Sequence, residues 1–131
     1  MGYSLDKEYA NSYVASDTLL QSNDANASPG SAVYVKVKTI MVITDVYPRS
    51  QLRICWTQAS GGAGTTTSKL KKSGVDLAGT ESAGANTFSF DISFTDLKYS
   101  DTLELWSKND QNLGSVTNYQ VRGTVTPFVN A

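Results

Sequence analysis

The chain has 131 residues, no histidine, one cysteine and a net charge of −1. Without histidine the commonest general base, transition-metal ligand and pH switch are missing. A single Cys55 leaves no intrachain disulfide, and no basic excess calls for nucleic acid or an anionic membrane surface.

That length suits one domain with a real core, and a chain 40% hydrophobic and 18% charged, with seven Tyr and ten Gly, reads as a globular β protein. The opening MGYSLDKEYANSY lacks the basic and apolar regions of a secretory signal. The apolar patch Ile40 to Ile43 is only four residues, far short of the roughly 20 that span a bilayer. No membrane span is expected.

Residues 1–12 form a polar, Tyr-dotted arm. Leu5, Tyr9 and Tyr13 are spaced for one helical turn each, and an extended arm fits as well. Residues 13–131 read as a single β domain. Tyr13 to Leu20 is a plausible first strand, followed by turn chemistry over 21–31, which holds one glycosylation sequon at Asn26. Ala32 to Ile43 is the clearest strand. Strict alternation puts Val33, Val35, Val37, Thr39, Met41 and Ile43 on one face, and Tyr34, Lys36, Lys38, Ile40 and Val42 on the other.

Pro48 ends pairing in a turn at Tyr47 to Ser50. Gln51 to Ala59 then places Leu52, Ile54 and Trp56 on one face, and Cys55 reads as a small, half-buried strand residue. A flexible SGGAG loop at 60–64 precedes two runs, 65–72 and 75–82, joined at Ser73-Gly74, where positive φ suits a tight hairpin. Asn86 to Phe94 alternates with Phe88, Phe90, Ile92 and Phe94 inside. The stretch from Asp101 to Pro127 organises the whole. Leu103 and Leu105 alternate with Glu104 and Trp106, and Tyr119, Val121, Gly123 and Val125 alternate with polar residues. About eight strands with frequent turns, and no sustained helical period, predict an antiparallel two-sheet β-sandwich, jelly-roll-like.

Chemistry is sparse. SGGAGTTTSK at 60–69 lacks the Gly-Lys-Ser/Thr order of a phosphate loop. Asp91, Asp96, Asp101, Glu104 and Asp110 could supply the two carboxylates of a glycosidase, but no spacing singles out two, and no Ca²⁺ loop is present. No catalytic, cofactor or metal residue is therefore expected. Two aromatics stand out because alternation turns them away from the core: Tyr34 and Trp106, candidates for contact with a partner subunit or a sugar ring.

Five stretches occur in a recognisable order: VYVKVKTI (33–40), LRICW (52–56), KLKKSGVDLAGTE (69–81), SDTLELWSK (100–108) and VTNYQVRG (116–123). They resemble a small β-sandwich domain of virion and tail proteins of phages and archaeal viruses, whose pattern runs VYxKVKEI, LRIxF, KIYKNGVxIGTE, GDxIxLYxK and VxNFxVxG. Ser73 replaces an Asn of that pattern, Ser100 a Gly and Tyr119 a Phe. The resemblance implies a non-enzymatic virion component, whether capsid, decoration (cement), turret or fibre. It would be made in the host cytoplasm and act by homo-oligomerisation and by docking on other virion proteins, with arm 1–12 and the tail after Pro127 crossing to neighbours. It brings no cofactor. The residues alone leave another class open, a carbohydrate-binding module with Tyr34 and Trp106 as its platform for a cell-surface glycan.

Overall fold

Nine strands and no helix make up the described residues of the computed structural model, which are 19–42, 50–62 and 64–123. The arm 1–12, Tyr13 to Thr18, Ile43, the turn at Tyr47 to Arg49, Val125 and the tail after Pro127 lie outside them. The strands are β1 (Leu19–Asn23), β2 (Val35–Met41), β3 (Ser50–Ala59), β4 (Thr66–Lys72), β5 (Val75–Asp76), β6 (Ser82–Ala83), β7 (Asn86–Phe94), β8 (Thr102–Asn109) and β9 (Ser115–Arg122).

Every pairing is antiparallel. One sheet has the order β1-β9-β3-β7; the other runs β2-β8-β4-β5, with β6 also on β4. First-half strands pair with second-half strands in nested fashion: β1 with β9, β2 with β8, β3 with β7, and β4 with β5 and β6. This is one long hairpin rolled over on itself, the jelly-roll form of the sandwich.

Alternation builds most of the core as the sequence suggests. Leu52, Ile54 and Trp56 of β3, Leu103 and Leu105 of β8, and Tyr119 and Val121 of β9 are fully buried. Fully burying a large side chain of this kind contributes roughly 1.5–3 kcal/mol. Trp56 is a core residue, stacked on Phe90 at a centroid distance of 5.8 Å. Cys55 is half-buried, as expected of a small strand residue.

β2 departs from its alternation. Its register against β8 shifts between Lys36 and Lys38, so a bulge inserts one residue. Lys36 lies opposite Trp106, but Lys38 lies opposite Leu105 and Ile40 opposite Leu103. The extra residue flips the phase. Beyond it Lys38, Ile40 and Val42 are buried and Met41 is exposed; Val33, expected in the core, is 67% exposed because it lies before β2, in the bend at 31–33. The buried Lys38 ammonium donates to Asn23 Oδ1 at 3.1 Å and to the Ala25 carbonyl, which ties the β1–β2 connection to the second sheet. Burial lowers its pKa, against the pull of nearby Asp24.

Two boundaries also move. The first strand continues through Gln21, Ser22 and Asn23, residues whose composition suggests a loop, because β9 supplies a pairing partner as far as Tyr119. The Ser73-Gly74 turn forms with φ of 47° and 86°, as a tight hairpin requires. The arm after it, however, pairs for only two residues before turning again into β6.

Candidate functional site

The outer face of the β2-β8-β4-β5 sheet gathers both outward aromatics. Residues directly opposite one another share a face. β8 therefore presents Glu104, Trp106 and Lys108 outward, β4 presents Thr67, Lys69 and Lys71 beside them, and β2 adds Lys36 and Thr39. Tyr34, immediately before β2, completes the face at the Lys108 end.

The rings are covered by ammonium groups. Lys71 Nζ lies 4.2 Å from the Trp106 ring centroid, and Lys69 and Lys108 Nζ lie 4.4 Å and 4.7 Å from that of Tyr34. Such cation–π contacts contribute about 0.5–1 kcal/mol at exposed sites. Carboxylates fix the polar ends. The Tyr34 hydroxyl donates to Glu81 Oε2 at 2.5 Å, and Trp106 Nε1 donates to Glu104 Oε1 at 2.9 Å. Lys69 and Lys71 both reach Asp76, at 3.2 Å and 3.6 Å. Desolvation, then the hydrogen bond and negative charge of Glu81, push the Tyr34 phenol well above its ordinary pKa. Burial works against Glu104 ionisation, but hydrogen bonds from Thr102 and Trp106, with Lys36 nearby, outweigh it and hold the carboxyl below its usual range.

Four lysines (36, 69, 71 and 108) thus stand among three acids (Asp76, Glu81 and Glu104) around two aromatic rings. This surface can bind by charge and stacking. A sugar ring stacking on Trp106 would have to displace Lys71 or share the indole with it. Sequence reasoning found Tyr34 and Trp106 and passed over the lysines, although all of them occupy outward positions of their strands; the signal was the same alternation that marked Trp106.

The five carboxylates weighed for catalysis are dispersed. Asp91 pairs with Arg53 at 2.8 Å on the outer face of the other sheet. Asp110 accepts the Thr65 amide at 2.8 Å. Glu104 belongs to the lysine face. Only Asp96 and Asp101 approach one another, and they do so on a common ammonium, Lys72 Nζ, at 3.1 Å and 3.6 Å. That trio pins the β4–β5 hairpin to the β7–β8 connection. It lies in an open groove of about 470 Å³, together with Lys98, Val75, Leu77 and Phe94. Among the described residues, no three His, Cys, Asp or Glu gather as metal ligands, and no helix is long and apolar enough to cross a membrane. No protein-family model and no curated protein matches the chain.

Proposed function

We propose that the chain is a structural building block of a virus particle, a capsid, decoration, turret or fibre component. It works without catalysis, by self-association and by docking on other virion proteins. The observation that carries this reading is the strand order β1-β9-β3-β7 over β2-β8-β4-β5, a fully rolled jelly roll. The five virion-like stretches of the sequence supply its specificity, because a fold hosts many functions and does not by itself select one.

Light scattering on the purified chain tests it. A particle mass that is a multiple of 14.1 kDa is the expected result, and a monomer at every concentration would refute self-association. Removal of residues 1–12 should lower the assembled mass if the arm crosses to a neighbour.

A second reading, attachment to a glycan, is favoured by one feature: Tyr34 and Trp106 share a face with four lysines. That chemistry suits an acidic sugar better than a neutral one, because ammonium groups surround the rings. Binding on a glycan array that disappears in Trp106→Ala supports this reading; an array on which acidic glycans give no signal removes it.

A further inference from the structure

The four edges of the two sheets are not alike. β1 offers five residues and bulges between Leu19 and Gln21. β2 bulges between Lys36 and Lys38 and carries both lysines. β5 has two residues. Bulges, lysines and shortness all blunt an edge against pairing with a foreign strand.

β7 has none of these devices. Its nine residues run in unbroken register against β3, with no proline, lysine or glycine. Its single charge, Asp91, is held by Arg53. Among the described residues no strand pairs with its other side. The opposing sheet ends in the short β5 and β6, so Phe88, Phe90 and Ile92 are only partly buried against the core. The groove between Val75, Leu77 and Phe94 opens at this same edge, and Val75 is 69% exposed.

We propose that β7 is a self-pairing edge, through which two copies of the chain join antiparallel about a two-fold axis. This gives a surface to the self-association proposed above and rests on that reading. The register follows from geometry. Opposite residues share a face, so the axis must pass through a residue for the aromatic side of both copies to remain inward. Pairing all nine residues places the axis at Phe90. Phe90 then meets its counterpart, Phe88 meets Ile92 of the second copy, and Ser89 meets Asp91 of the second copy. The strand's one charge never faces itself. Two four-stranded sheets become one of eight strands, and the half-covered rings at the two open edges shield each other. Such a contact uses the same patch twice and closes as a dimer.

The test is light scattering on the whole chain over a concentration series, with Ser89→Asp and Ser89→Lys. Ser89 is exposed, so both variants spare the core. Ser89→Asp sets a carboxylate against Asp91 of the other copy at two symmetric places, and dimerisation should weaken roughly tenfold. Ser89→Lys sets an ammonium there, and the dimer should hold or tighten. At concentrations low enough to keep all three proteins monomeric, melting curves for the two variants should match wild type. Independently, hydrogen exchange of wild-type residues 86–94 should slow as concentration rises. If the chain associates but neither variant and no exchange rate responds, β7 is not the surface, and self-association stands. Equal weakening by both variants overturns the register, and with it this proposal. A wild type that stays monomeric, as it would if its own residues covered the edge, overturns both this inference and the self-association on which it rests.

Discussion

The interior of the sandwich has two unlike ends. At one, Leu20, Val42, Leu52, Leu97 and Leu103 are buried in an apolar cluster. At the other, Gln58, Thr66, Ser68, Ser107 and Asn109 are buried as completely, and hydrogen bonds replace hydrocarbon. Gln58 Nε2 donates to the carbonyls of Thr66, Ser82 and Gly84, and its Oε1 accepts from Trp56 Nε1 at 2.8 Å. Asn109 Nδ2 donates to Thr66 Oγ1 at 3.0 Å, while Asn109 Oδ1 accepts the amides of Gln111 and Leu113. The polar end fixes residues 60–62 against residues 110–114. Gly114 is required there, because a Cβ would lie 2.3 Å from Thr66 Oγ1. The apolar end is held by shape and the polar end by directed bonds, so the two should fail differently when altered.

The largest effect is expected at the apolar end. Leu52→Ala leaves a void among fully buried neighbours and should cost about 3–4 kcal/mol by urea denaturation. At the polar end the informative change is Gln58→Leu, nearly isosteric and more apolar. It strips partners from the Trp56 indole and three carbonyls, and the loss should be about 2–3 kcal/mol. A Gln58→Leu protein as stable as wild type would erase the distinction between the ends.

Tyr119 sharpens the comparison because it belongs to neither end. Its ring is fully buried, yet its hydroxyl has no hydrogen-bond partner among the described residues. Tyr119→Phe should therefore raise stability by about 1 kcal/mol. Burial, and then the charge of Glu104, push this phenol above its ordinary 10.0. A raised folded pKa contributes stability that is complete below the unfolded value and is lost as pH climbs past it. The wild type should weaken above about pH 10, and Tyr119→Phe should flatten that limb. Tyr34, raised in the same direction, leaves a residual slope.

The smallest effect concerns an exposed turn beside the apolar end, where the Ser100 amide donates to the Val42 carbonyl at 2.8 Å. Ser100 sits at φ 72°, where glycine is favoured. Ser100→Gly relieves that strain but frees the unfolded chain, for a net gain of about 0.5 kcal/mol in thermal melts. Both serines that depart from the virion-like pattern, Ser73 and Ser100, hold positive φ, where its Asn and Gly are easily accommodated.

The limits of legibility show at particular residues. Leu52, Ile54 and Trp56 were readable because β3 keeps unbroken phase against β7. Met41 was not, because one bulged residue in β2 inverts every later side chain and leaves no mark in composition. The lysine face was half legible. Alternation turned Trp106 and Tyr34 outward, but only the β2-β8-β4 register brings Lys36, Lys69 and Lys71 to them.

By itself the order of residues determined the class of structure, since period-two alternation and turn residues act locally. It determined most strand positions and the hairpin at Ser73-Gly74 for the same reason. Tertiary structure decided the rest: which strand neighbours which, where Lys38 hides, and which edge has no strand partner among the described residues. Those depend on pairings between segments up to about a hundred residues apart, from Leu19 to Arg122, and no local pattern encodes them. β7 is an ordinary amphipathic strand in the sequence; in the structure no strand among the described residues pairs with its outer side, and the short β5 and β6 of the opposing sheet leave its rings half covered.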